Sequence, residues 1–122
     1  MLEPADHWSA GFFYLLKNFA CMFSVIYTFE VKLGQEENFV AAWSALTKLF
    51  REYAGSGGAR LHCDPSGTYV SYAQWPDRIT WEESMPKLPS EGREIRDSMH
   101  ATCLSIGTQF ELDTVVDLIQ PL

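Results

Sequence analysis

The run Thr68-Tyr69-Val70-Ser71-Tyr72-Ala73-Gln74-Trp75, enclosed by Ser66-Gly67 before it and Pro76 after it, leaves the backbone little choice. Tyr, Val and Thr suit a pleated, half-buried surface, glycine marks a turn, and a proline without an N–H cannot continue a ladder. The segment therefore reads as a strand, and its two faces differ. Thr68, Val70, Tyr72 and Gln74 point one way; Tyr69, Ser71, Ala73 and Trp75 point the other. The second face sets two small residues between two large aromatic ones, a gap walled by rings that can floor a small-molecule cavity.

A second run of the same period lies upstream. Phe23, Val25, Tyr27, Phe29 and Val31 share one face, and Ser24, Ile26, Thr28, Glu30 and Lys32 the other. Gly34 ends it, and Gln35-Glu36-Glu37 puts negative charge where a helix dipole favours it. Phe39, Trp43, Leu46, Phe50 and Tyr53 then recur at the spacing of a helix lying on a sheet, with Lys48, Arg51 and Glu52 outside. Gly55 is placed for a left-handed C-terminal cap, and Gly57-Gly58 lets the chain turn. A short strand over 59–63 follows, and Asp64-Pro65-Ser66-Gly67 joins it to the opening strand as an antiparallel hairpin.

Beyond Pro76, Asp77 can cap a helix whose first apolar turn holds Ile79 and Trp81, and Thr80 with Glu83 offers a second capping box. Pro86 and Pro89 divide this helix in two. Ser90 caps the second piece; Ile95, Met99, Cys103, Leu104 and Ile106 make its inner stripe, and Gly107 ends it. The last strand is expected over 109–119. Residues 1–21, with Trp8, Phe12, Leu15, Leu16 and Phe19 at helical spacing, read as an N-terminal helical extension to a single domain over 22–122.

The order β-α-β-β-α-β predicts a ferredoxin-like α+β domain: a four-stranded antiparallel sheet with both helices on one face. Two helices cover one face only. The other, carrying Ile26, Thr28, Val70 and Tyr72, is too apolar for water, so a homodimer joined through the open sheet face is expected.

Charge narrows the partners. A net charge of −7 with no Lys/Arg cluster argues against nucleic acid and against anionic membranes. No run approaches the ~20 apolar residues of a membrane span. The apolar run 11–22 follows Glu3 and Asp6 rather than the basic residues of a secretory signal. Cys21, Cys63 and Cys103 are widely spaced and form no disulfide framework, so reduced thiols and a cytoplasmic location are expected. His7, His62 and His100 are scattered without metal-ligand spacing, and Gly55-Ser56-Gly57-Gly58 follows a helix instead of opening one as a dinucleotide loop would.

The segment Val25-Ile26-Tyr27-Thr28-Phe29-Glu30-Val31-Lys32-Leu33-Gly34-Gln35-Glu36-Glu37, the Phe39/Trp43 helix, Gly67-Thr68-Tyr69 through Gln74-Trp75-Pro76, and Trp81 together resemble the antibiotic biosynthesis monooxygenase superfamily, over residues 22–119. The resemblance implies a dimeric α+β barrel with a pocket between sheet and helices, to which a tryptophan ending the third strand, here Trp75, contributes. Members include cofactor-independent oxygenases of aromatic polyketides, quinol oxygenases, haem-degrading enzymes and proteins with no known activity. The haem-degrading members also use an asparagine on the first strand and a histidine on the second helix. Tyr27 and Met85 stand at those positions, so that pattern is not met.

Oxygenation without a cofactor or metal needs an electron-rich substrate held dry, a base for its proton, and stabilisation of the resulting anion. Tyr27 and His100 are the catalytic candidates, Tyr27 as an orienting donor and His100 as general base, since imidazole titrates near neutral pH. Trp75, Tyr69, Ser71, Arg96 and Met99 are the substrate-binding candidates. Each has a plainer counterpart: Trp75 as a core aromatic, Tyr27 as a structural tyrosine, Arg96 as a surface ion-pair partner. His62 reads as a solvated or interface histidine, and Cys63 and Cys103 as inert packing. The expected function is a cofactor-independent monooxygenase of a small aromatic or quinol-like molecule. The alternative is a non-catalytic small-molecule-binding or stress-associated protein that keeps the cavity without the chemistry.

Overall fold

Period-two alternation builds the two central strands, and everything else packs around them. The computed structural model describes residues 22–122; the expected N-terminal helical extension lies outside the described residues. Strand β1 (Phe23–Val31) is followed by helix α1 (Glu36–Tyr53), the hairpin strands β2 (Gly58–Cys63) and β3 (Tyr69–Trp75), a short helix α2 (Arg78–Glu82), a 3₁₀ turn (Met85–Lys87), helix α3 (Ser90–Ala101) and strand β4 (Cys103–Asp113). The sheet order is β2-β3-β1-β4, every neighbouring pair antiparallel. This is the ferredoxin-like α+β fold, its second helical segment divided at the prolines.

Local chemistry explains the boundaries. Glu36 and Glu37 occupy the first turn of α1. Gly55 takes φ +79° just beyond the helix, a conformation that a Cβ disfavours. In the hairpin loop the Asp64 carboxylate accepts from Ser66 N (2.9 Å), Ser66 Oγ (2.7 Å) and Thr68 N (3.0 Å), while Gly67 turns at φ +93°. Asp77 caps α2 by accepting from Thr80 N at 2.8 Å.

Several expectations are corrected. Thr80 and Glu83 form no capping box: α2 is only five residues long and Glu83 closes it. Ile79 faces solvent instead of the core. Ser90 is the first helical residue of α3, with Pro89 at the cap position and no side-chain cap bond. The largest displacement concerns the last strand, which spans Cys103–Asp113 instead of 109–119. Helix α3 stops at Ala101, where Thr102 N and Thr102 Oγ both donate to the Met99 carbonyl, at 3.1 and 2.6 Å. Cys103, Leu104 and Ile106 thus belong to β4, and Gly107 lies inside the ladder opposite Thr28. Pairing with β1 outweighed the helical spacing of those side chains. Cys63, expected to pack, is exposed at the end of β2.

The core lies between the sheet and the helices. Phe23, Val25, Phe29, Ala73 and Trp75 from β1 and β3 pack with Phe39, Leu46 and Ala54 of the α1 region and Met99 of α3, all less than a tenth exposed. Full burial of each large apolar side chain contributes roughly 1.5–3 kcal/mol. Two register shifts interrupt β4, leaving Leu104 and Gln109 as extra residues. The shift at Gln109 sets Phe110 opposite Ile26 and Glu111 opposite Val25, which sends Glu111 to the helix side and Phe110 to the open side.

Candidate functional site

A cavity of about 550 Å³ opens between the sheet and the helices, above the small residues Ser71 and Ala73. Trp43, Phe50, Trp75 and Trp81 wall it with rings, and Trp75 is itself braced by Phe50, edge-on at 5.6 Å. Such a mostly apolar enclosure with few polar groups suits a small ligand.

Of the residues singled out from sequence, Tyr27, Ser71, Trp75, Arg96, Met99 and His100 line this cavity. Tyr69 does not: its ring packs on Phe39 at 5.0 Å and belongs to the core beneath α1. Met85 also lines the cavity. His100 is exposed, on the rim contributed by α3. His62 lies exposed on β2, away from the cavity.

Two polar groups in this lining are incomplete. Trp75 Nε1 and Arg96 Nε are buried N–H donors with no acceptor among the described residues. The outer end of the Arg96 guanidinium meets Asp97 at 3.4 Å while its Nε is shielded inside. Tyr27 is differently placed: its hydroxyl oxygen accepts from Trp81 Nε1 at 2.7 Å. Burial raises the Tyr27 phenol above its ordinary pKa; the Trp81 hydrogen bond opposes this, and the nearby Glu111 charge adds to the rise.

Trp81, Ser84 and Glu111 are lining residues to which the sequence reading gave no site role. Trp81 was recognisable as an aromatic in a capped turn, but its partner Tyr27 lies 54 positions away. Ser84 is spent on the chain itself, its Oγ donating to the Trp81 carbonyl at 2.6 Å. Glu111 reaches the helix side only because of the register shift at Gln109, which no local pattern announces. There it pairs with Arg78, whose guanidinium stacks 4.6 Å over the Phe23 ring. Among the described residues, no group of three or more His, Cys, Asp and Glu side chains is arranged to hold a metal ion, and no helix is long and apolar enough to cross a membrane.

A wider groove of about 720 Å³ lies between α1, the β2 edge and residues 117–121. Neither unpaired buried donor lines it. The sheet–helix cavity is therefore the better candidate.

Similar architectures are known. SnoaB, a cofactor-independent oxygenase from Streptomyces nogalater, superposes with a TM-score of 0.66 at 15% identity, covering 83% of this chain and 100% of that one. A conserved protein from Methanosarcina mazei Go1 gives 0.66 at 11% identity, with 80% and 97% covered. A conserved protein of unknown function from Bacteroides thetaiotaomicron, described as a possible oxidoreductase, gives 0.63 at 8% identity, with 77% and 98% covered. At these identities the likeness establishes the fold alone. No curated protein matches the sequence. The sequence profile of the family described as antibiotic biosynthesis monooxygenase matches residues 22–85, just over half of the chain. That match takes in β1, α1, the hairpin, Trp75 and Trp81, and the chain belongs to the antibiotic biosynthesis monooxygenase family.

Proposed function

We propose that the cavity binds a planar, oxygen-bearing aromatic molecule of the phenol, anthrone or quinol class, and that the protein oxygenates it without a cofactor. The observation that carries this reading is a ring-walled cavity lined by Trp75 and Arg96, two side chains whose buried N–H groups, Trp75 Nε1 and Arg96 Nε, have no acceptor among the described residues. Each buried donor left unmade costs about 1–3 kcal/mol, which an acceptor oxygen on a ligand recovers. Indole and guanidinium N–H groups donate and cannot accept, so they favour a carbonyl or phenolate oxygen over an amine. The ring-lined walls favour a flat partner.

Such a substrate can supply its own electrons. For a methylene held between two aromatic rings, one O₂ converts CH₂ to C=O and releases water. One oxygen atom stays on carbon, the other leaves in the water, and the four electrons lost by carbon are those gained by O₂. The chain's part is to exclude water, to hold the substrate oxygen through Trp75 and Arg96 as negative charge develops, to orient it through Tyr27, and to take a proton at His100. Ser71 and Met99 shape the floor and roof. The family membership and the description of SnoaB as a cofactor-independent oxygenase support this reading.

The test is oxygen uptake on a panel of anthrones and hydroquinones without flavin, metal or nicotinamide. Uptake by the wild type that Trp75→Ala abolishes is the expected result. Binding without any uptake would favour the second reading, a non-catalytic binding protein. One observation speaks for that reading: the imidazole of His100 is exposed at the rim instead of enclosed with the substrate. The same family context and the open sheet face, where Phe110 and Leu112 are 58% and 43% exposed, support a homodimer through that face.

A further inference from the structure

We propose that Trp81 is a positioning residue that makes Tyr27 a one-directional hydrogen-bond donor to the oxygen of a molecule in the cavity. The inference rests on the reading that the cavity takes an oxygen-bearing ligand. A phenol has one proton and two lone pairs, whereas an indole N–H only donates. In the 2.7 Å contact, Tyr27 Oη is therefore the acceptor and its own proton must point elsewhere. Among the described residues the hydroxyl has no second partner, and both Tyr27 and Trp81 line the cavity. The remaining proton is thus offered to the cavity, and donation from Trp81 polarises the O–H and strengthens it as a donor.

Trp81 can do this because it is held before any ligand arrives. Its ring packs on Phe23 at 5.5 Å, and its carbonyl receives Ser84 Oγ at 2.6 Å. Helix α2 is started by the Asp77 cap and tied to β4 by the Arg78–Glu111 ion pair, one turn before Trp81. A donor whose direction is set in advance loses little entropy on binding. A phenol is protonated at neutral pH, and burial and the Glu111 charge, opposed by the Trp81 hydrogen bond, shift Tyr27 further in that direction, so it donates instead of acting as a base.

A double-mutant cycle tests this, with 2-hydroxy-1,4-naphthoquinone as the probe and isothermal titration calorimetry as the readout. Trp81→Phe keeps an aromatic ring on Phe23 but removes the N–H. It is expected to weaken probe binding about 2- to 5-fold, less than the loss of a whole hydrogen bond, because Tyr27 keeps its proton but loses its polarisation and fixed direction. Tyr27→Phe should weaken it at least as much, and adding Trp81→Phe to Tyr27→Phe should have almost no further effect. An unchanged Kd in Trp81→Phe, or an equal loss in both backgrounds, would overturn the assignment. A second measurement follows the ¹³Cζ resonance of Tyr27, identified by its loss in Tyr27→Phe, through its alkaline titration. Removing the Trp81 donor should move that titration further upward, and no movement would sink the proposal even if binding changed. Should Trp81→Phe fold poorly, replacing the indole at position 81 by its benzothienyl isostere keeps the shape and deletes only the N–H. If the wild type binds no quinone, the functional reading fails, while the ¹³Cζ titration still decides whether Trp81 directs Tyr27.

Discussion

The two faces of one sheet are finished in opposite ways. On the helix side, Phe23, Val25 and Phe29 of β1 are buried against α1 and its neighbours, while the donors Trp75 Nε1 and Arg96 Nε have no acceptor among the described residues. On the open side the polar groups satisfy each other: Ser24 Oγ donates to Tyr72 Oη at 3.1 Å, and Gln109 Nε2 to Thr28 Oγ1 at 3.2 Å. There it is apolar surface that is left over, with Ile26 and Val70 half-buried and Phe110 and Leu112 exposed. A face with spare donors calls for an acceptor, and a face with spare hydrocarbon calls for another apolar surface. Because successive strand residues alternate sides, β1 and β3 serve both needs without one interfering with the other.

The sharpest way to break this division is Trp75→Ala, which removes a donor, a cavity wall and a buried ring at once. It should cost about 3–5 kcal/mol by urea denaturation and abolish quinone binding, because large aromatic truncations in a core lose both transfer energy and packing. A loss of stability under 1 kcal/mol would mean that Trp75 is not the brace its contact with Phe50 implies. Ser71→Leu fills the gap beneath the rings instead. Overpacking should cost about 1–3 kcal/mol, while naphthoquinone binding falls below calorimetric detection. Retained binding would place the ligand elsewhere.

Phe110→Asp probes the other face. Self-association measured by sedimentation velocity should weaken at least about tenfold, equivalent to about 1.4 kcal/mol, with cavity binding unchanged. A parallel loss of quinone affinity would show that the faces are coupled. The smallest effect is expected at α2, which supports Trp81 from outside the cavity. Thr80, through its hydroxyl and its backbone N–H, holds the Asp77 carboxyl below the usual carboxylate range. A depressed native value stabilises the fold above the ordinary carboxylate pKa and loses that contribution as pH falls through it. Asp77→Ala should therefore cost about 1 kcal/mol at pH 7, with the difference from wild type narrowing below about pH 4. A difference that is constant down to pH 2 would remove the carboxylate from the account.

The parts legible in the sequence are those governed by short-range rules. Alternation in Phe23–Val31 and Tyr69–Trp75 specified which residues face the helices, and Ser71 and Ala73 do lie beneath the cavity. Asp77, Gly55 and Gly67 did what their side chains, or lack of one, dictate. The misreading of β4 has a physical origin. Ile95 and Met99 do belong to α3, and Cys103, four positions on, continues their helical spacing; only pairing with β1 makes Cys103–Ile106 extended. Tyr69 was assigned to the cavity by parity alone, but parity selects a side of the sheet, and Phe39 had already taken that position.

From its own residues the chain determines a four-stranded antiparallel sheet with helices on one side, a strand with a small-residue gap, and a family. These follow from side-chain alternation, turn chemistry and capping, all of which act over a few residues. Tertiary structure alone decided that Trp81 meets Tyr27, that one extra residue in β4 turns Glu111 toward the helices, and that Trp75 and Arg96, whose buried donors have no acceptor among the described residues, line the same cavity. Those outcomes depend on register and on which groups remain unsatisfied once the whole core has closed, and neither can be read from any one stretch of sequence.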